Sequence, residues 1–293
     1  MIKASSSPVL DSLNRTEPAS RYLQELKKLG VDPNFWCSDE YLQKAGCEEE
    51  GQTSFVSGEI SDLSLSVWDG EILMFPPIQY VRQRFAPIPR EAKVWSDFLG
   101  YRSPLPLSLE PCLEKAELLD LEYIFDPQHF QHMDGGKWMV FRKNCRKWPK
   151  RNTLQFSYTG DPDLLADVDG LRDVLMSWLG VKGNENIHDD EVLVKYLLNG
   201  NHRKILLNAR GEIVGINIWD YNWKYINFRY CICRPEPFLP EYMRWLFYSD
   251  PLILGDGRKV NDGGILDKPS LKDFKDKMNP CQVREVYSWQ SYV

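Results

Sequence analysis

A chain of 293 residues that is 43% hydrophobic and 13% aromatic has enough apolar surface for one large core or two ordinary domains, which excludes an intrinsically disordered protein. Its formal net charge of -6 means that the overall field repels polyanions, so any affinity for phosphate must reside in a local patch. The seven cysteines form no CxxC pair and the four histidines join no metal-ligand pattern; reduced thiols are expected, and no metal.

Residues 1 to 18 are polar and small, with no apolar run long enough for a secretory signal or a membrane span, and a soluble protein of the cytoplasm, or of the host cytoplasm if viral, is expected. RYLQELKKLG at 21 to 30 places Leu23, Leu26 and Leu29 at helical spacing before a terminal glycine. From Thr53 to Pro77 the pattern is of strands: SFVSGEI, then SDLSLSVW with Leu63, Leu65 and Val67 at period two, then a hairpin turn at Asp69 and Gly70 into EILMFPPI. The region up to about residue 125 is mixed. REAKVWSDFLG and LEKAELLDLE read as helix-like, and LEYIFDP reads as a strand ending at Pro127.

The stretch GGKWMVFRKNCRKWPKRNTLQFSYTG, Gly135 to Gly160, sets seven cations and no acid in 26 residues. They are Lys137, Arg142, Lys143, Arg146, Lys147, Lys150 and Arg151. On a helix, Arg142, Arg146 and Lys150 fall at i, i+4 and i+8, giving one broad cationic face with Trp138, Phe141 and Trp148 interleaved. A solvated charged helix is the bland alternative. Like charges at i, i+4 repel by about 0.2 to 0.5 kcal/mol per pair, and an anionic partner would offset that cost.

Beyond this stretch TLQFSYT at 153 to 159 alternates as a strand, and residues 161 to 180 and 188 to 200 read as helices led by acids and stopped by glycine. Strands are expected at RKILLNARG, EIVGINIWDYNWK and KYINFRYCICRP, with a helix from Phe238 to Leu254, a short strand at KVNDGG, a helix at SLKDFKDKM and a last strand at QVREVYSWQ. The order from residue 153 is β-α-α-β-β-β-α-β-α-β.

This order, with YIFDP, GGKW, FRKNCRKWPKR, NDGG and LKDFKDKMNP, resembles the GNAT acyltransferase fold, and within it the group of lysylphosphatidylglycerol synthases with DUF2156 domains and the related Fem aminoacyltransferases. The resemblance implies an α+β chain of tandem GNAT-like domains, at 1 to 134 and 135 to 293, each a mostly antiparallel twisted sheet flanked by helices, the second opening with the basic helix. It implies transfer of an acyl or aminoacyl group onto an amine. The donor, aminoacyl-tRNA or acyl-CoA, would be a co-substrate, with no permanently bound cofactor. One departure bears on the donor: acetyl-CoA-using relatives carry a glycine-rich turn that holds pyrophosphate, whereas CRPEPFLPEYM has three prolines without N–H and no glycine.

By that resemblance the first candidate for binding or deprotonating the acceptor is Asp262, with Asn261 beside it in NDGG; a plain turn is the alternative. Asp220 and Tyr225, around the turn between two strands, are candidates for lining the mouth of the cleft; a plain hairpin is the favoured alternative. Lys275 and Lys272, on the helix after NDGG, are candidates for neutralising a phosphate or carboxylate, with ordinary exposed lysines as the alternative. The seven cations of the basic helix would hold tRNA or DNA, and no integral membrane association is implied. Two further readings stay open, an acyltransferase acting on an amino group of a modified base in viral DNA, and a scaffold that binds nucleic acid without catalysis.

Overall fold

The structure is a computed structural model, and it describes residues 23–24, 27–28, 33, 35, 37–45, 55–56, 64–69, 71–75, 97–98, 100–101, 115–151, 156–182, 190–265 and 268–290. The arm at 1 to 18, REAKVWS, most of SFVSGEI and the start of TLQFSYT lie outside them. Packing divides the chain into two compact units, residues 1–120 with 285–293, and residues 121–284. The division after Asp120 differs from the expected one at residue 134.

In the first unit α1, Asp39–Ala45, begins after Ser38, whose hydroxyl accepts the Tyr41 amide at 3.0 Å, as a helix N-cap does. The hairpin expected at Asp69 forms: β2, Ser64–Asp69, pairs antiparallel with β3, Glu71–Phe75, and on its other edge with β1, Phe55–Val56. β4, Asp97–Phe98, runs parallel to β3, and β5 is Gly100–Tyr101. β6, Lys115–Phe125, is a strand where KAELLDLE reads as helix-like. Its residues have good helix propensity, but pairing of its end, with Leu121, Tyr123 and Phe125 turned to one apolar cluster, overrides that weak preference.

The second unit continues with α2, Gln128–His132, a 3₁₀ turn at Gly136–Trp138, α3, Met139–Cys145, α4, Lys147–Arg151, and β7, Ser157–Thr159. Next come α5, Pro162–Leu165, α6, Val168–Lys182, α7, Asp190–Asn199, β8, His202–Leu207, β9, Ile213–Tyr221, and β10, Tyr225–Cys233. α8, Leu239–Tyr248, α9, Pro251–Asp256, β11, Lys259–Asn261, and α10, Pro269–Asp276, follow, and β12, Gln282–Gln290, begins in this unit. Two helices expected to be continuous are broken by internal caps. Asp167 accepts the Gly170 amide at 3.0 Å where α6 begins, and Asp250 accepts the Leu252 amide at 2.9 Å ahead of Pro251. Pro251 fits a first turn and would clash inside a helix.

The strands lie in the order β6-β11-β10-β9-β8-β7, and among the described residues of this unit only β10 and β11 pair in parallel. One sheet face carries Tyr123, Phe125, Trp219, Ile226, Phe228 and Val260, which pack with Phe247 and Tyr248 of α8. Phe130 of α2 stacks on Tyr248 at 4.0 Å between centroids, and Phe228 on Phe247 at 4.1 Å. The tip of Met243 from α8 fills the space over Gly215, its Sδ and Cε 2.9 Å from where a Cβ would stand. α6 packs on the opposite face, against β9 and β10.

A candidate active site at a strand fork

β10 and β11 stay in register for Tyr225 opposite Lys259, Ile226 opposite Val260 and Asn227 opposite Asn261. They then part: β10 runs on to Cys233, whereas the other strand ends and turns at Gly263, φ 63°. Because successive strand residues face opposite ways, Asn261 and Asp262 direct their side chains to the two sides of the sheet.

On the α6 side Asn261 Nδ2 donates to Glu122 Oε2 at 2.7 Å, and Asn261 Oδ1 accepts the Gly263 amide at 2.9 Å. The same Glu122 oxygen accepts Arg284 Nη2 at 2.7 Å, and Arg284 Nη1 donates to the Tyr225 hydroxyl at 3.2 Å. Asp220 lies opposite Asn227 across β9 and β10. Its two oxygens accept four hydrogen bonds, from Tyr196 Oη at 2.6 Å, Asn227 Nδ2 at 2.9 Å, and Arg229 Nε and Nη2 at 2.7 and 3.1 Å. Asp220, Asn227, Asn261 and Glu122 are fully buried. Burial of charge is tolerable here because each carboxylate has its own guanidinium. Asp220 and Tyr225 therefore flank a hairpin turn and face into a polar layer beneath the sheet, not the mouth of a cleft: the β9 and β10 register draws them inward.

On the α8 side Asp262 meets Arg244 through Nε to Oδ2 and Nη2 to Oδ1, both 3.2 Å, and accepts the Tyr248 hydroxyl at 2.9 Å. Lys275 Nζ lies 3.3 Å from Asp262 Oδ1. Burial alone would raise the Asp262 pKa, but the cations of Arg244 and Lys275 outweigh it and hold the carboxyl below its ordinary range. Burial pushes the Tyr248 hydroxyl up, with the Asp262 charge adding to it, so Tyr248 stays a donor. A carboxylate so stabilised is a weak base, and its geometry is that of a group orienting Arg244. Lys275 is 2% exposed. Its ammonium donates to the carbonyls of Asp262, Gly263 and Gly264, the last two at 3.0 and 2.7 Å. The surface phosphate contact expected of it is corrected, since the three carbonyls of the NDGG turn draw the charge inward.

The basic segment forms two short helices, with the break at Arg146. Trp138, Phe141, Cys145 and Trp148 point into the core, Trp148 stacking on Tyr242 at 5.1 Å, so the interleaved aromatics anchor the segment and offer no stacking surface. The opposite side is a groove of about 400 Å³ lined by Met139, Arg142, Lys143, Arg146, Lys147 and Lys150. Arg142 also donates to the Met133 carbonyl. Lys147 Nζ and the Arg151 guanidinium lie 4.1 and 4.9 Å from the Phe238 ring centroid, and Lys137 is exposed nearer the start.

No protein-family model matches the sequence, and no curated protein matches it. Solved structures do. A conserved protein of unknown function from Bacteroides thetaiotaomicron matches at 17% identity over 100% of both chains, with a TM-score of 0.70. L-PGS from Bacillus licheniformis matches at 16% identity over 94% of this chain and 92% of that one, TM-score 0.62. The DUF2156 domain of a putative lysylphosphatidylglycerol synthetase from Agrobacterium fabrum matches at 14% identity over 95% and 93%, TM-score 0.63.

The chain has the DUF2156 fold. It is an α+β architecture, a mixed and mostly antiparallel sheet flanked by helices. The stretch CRPEPFLPEYM, which has three prolines and no glycine, forms the link from β10 to α8. Three of its amides are engaged and its three prolines have none: Arg234 donates to the Val214 carbonyl at 2.9 Å, Glu236 to that of Arg234 at 2.7 Å, and Leu239 to that of Glu236 at 3.2 Å. Two acids also stand at this helix start. Glu236 accepts Trp148 Nε1 at 2.7 Å and Glu241 accepts Asn144 Nδ2 at 3.0 Å, which ties the basic segment directly to α8. The expected residues thus fall in three places, the groove cations on one surface, Asn261, Asp220 and Tyr225 in the polar layer, and Asp262 with Lys275 behind the fork. Sequence reasoning missed Arg244, Arg229, Glu122 and Arg284. For the two arginines of β10 and α8 the signal was there: a single charge inside the apolar runs YINFRYCIC and YMRWLFY must find a buried partner.

Proposed function

We propose that the protein is an acyl- or aminoacyltransferase that moves an acyl group from a phosphate-bearing donor, an aminoacyl-tRNA rather than a CoA thioester, onto an amine. The observation that carries this reading is the cationic groove joined to the start of α8, whose three prolines, engaged amides and two carboxylates disfavour a pyrophosphate. A phosphodiester backbone suits such a groove, because contacts to successive phosphates position a polyanion without reading its bases. The fold supports the same chemistry by its likeness to L-PGS and to a lysylphosphatidylglycerol synthetase domain. The amine nitrogen attacks the ester carbonyl at the fork, the C–N bond forms, the C–O bond to the ribose breaks, and the amine proton passes through water to the leaving oxygen. The polar layer of Asp220, Asn227 and Asn261 keeps the two strands at fixed spacing, which serves orientation. Phosphate binding falls to Lys137, Arg142, Lys143, Arg146, Lys147, Lys150 and Arg151.

The test incubates the full chain with charged tRNA and, separately, with acyl-CoA thioesters, each with a panel of amines. Acyl transfer from the tRNA alone is expected, reduced at least tenfold in KM terms by R142Q/R146Q/K150Q. Turnover of the thioester alone would reverse the donor assignment, and turnover of neither would remove the enzymatic reading.

A further inference from the structure

Arg244 does more than neutralise Asp262. Its Nε and Nη2 are committed to the two carboxylate oxygens, while Nη1 has no hydrogen-bond partner among the described residues. The side chain is 13% exposed, against 2% for Asp262, so the guanidinium stands at the border of the buried cluster. It is held flat from two directions, 4.9 Å from the Phe274 ring centroid and 5.5 Å from that of Phe228. Tyr248 fixes Asp262 in turn. Among the described residues, Arg244 and Lys275 both pair with Asp262.

We propose that the fork between β10 and β11 is an oxyanion-binding subsite, in which Arg244 Nη1 takes a carboxylate or phosphate group carried by the small substrate. An arginine preset by a carboxylate and two rings loses little side-chain freedom on binding and presents a planar donor edge, which suits a planar carboxylate better than an ammonium point charge would. The subsite deepens the transferase reading, on which only the word substrate depends. It assigns the acceptor to amines that also bear an anionic group, and it separates recognition of that small molecule from recognition of the donor polymer in the groove.

The experiment follows the Arg244 Nε–H and Trp245 indole signals by NMR in the full chain during titration with sodium acetate and, separately, inorganic phosphate at constant ionic strength. Saturable shifts are expected, lost in R244Q and retained in R142Q. R244K guards against a folding defect in R244Q: it keeps a charge opposite Asp262 but lacks the additional donor, and its dissociation constant is expected to rise at least tenfold with the thermal melt preserved. Tighter acetate marks a carboxylate-bearing acceptor, and tighter phosphate a phosphomonoester. An unchanged response in R244Q or R244K, or no saturable response in the wild type, overturns the subsite. Because the readout is binding, its failure leaves the donor assay standing, and the absence of turnover leaves the subsite standing.

Discussion

Asp220 and Arg229 form the most enclosed ion pair of the polar layer, each with 1% of its side chain exposed. Removing one partner leaves a buried charge without its counterpart. Asp220→Leu is expected to cost about 3 to 5 kcal/mol in urea unfolding, whereas the double change Asp220→Leu with Arg229→Leu should recover most of it, because replacing both ions by apolar groups of similar volume is close to neutral. Destabilisation of the double variant equal to that of the single one would show that Asn227 and Tyr196, not the ion pair, set the cost. Asp262 predicts a pH dependence of known sign. Its pKa is lowered in the folded state, so the unfolded chain binds the proton more tightly. The stability it contributes is complete above the unfolded value of about 3.9 and is lost as pH falls below that toward the folded value. The difference in unfolding free energy between wild type and Asp262→Asn should therefore be constant near neutrality and shrink below about pH 4. A gap that grew in acid would contradict the assignment.

Among the elements, those with strong local punctuation were legible. The Asp69 hairpin, the three strands of β8 to β10, β11 with its NDGG turn, and β12 each carry a turn residue or a period of two that leaves little choice. What was not legible is where one apolar period hides two elements. Residues 239 to 256 have continuous helical spacing, yet Asp250 caps a new helix and its carboxylate is also paired with Lys204, a partner 46 residues away that no local rule supplies. KAELLDLE failed differently. Its composition favours a helix, and only long-range pairing with β11 makes its end a strand. The candidate site shows the same split. Asp262 and Asn261 were found from a glycine turn, but which face each would occupy depends on the register of β10 against β11. Arg244 lies on another helix altogether.

For the whole molecule, the decisive quantity is the contrast between a net charge of -6 and a groove whose titratable lining is entirely cationic. Polyanion affinity confined to that groove predicts a linear fall of log affinity with log salt. Neutralising Arg142, Arg146 and Lys150 together should lower the slope by about 2 to 3, at roughly 0.7 to 0.9 per phosphate contact. An unaltered slope would place the contacts elsewhere. Sequence composition showed that such a patch existed, but its shape, with the aromatics turned inward and α8 beneath, came only with the packing. The pair Asn261 and Asp262 carries a last consequence. One dipeptide anchors a hydrogen-bonded network on each side of the sheet, and the Asp262 amide is itself bonded to the Tyr123 carbonyl at 2.9 Å. Exposing that amide to solvent exchange requires both networks to open at once. The floor of the fork thereby belongs to the last region of this unit to fray, so substrates meet a cleft whose base keeps its shape while its rim moves.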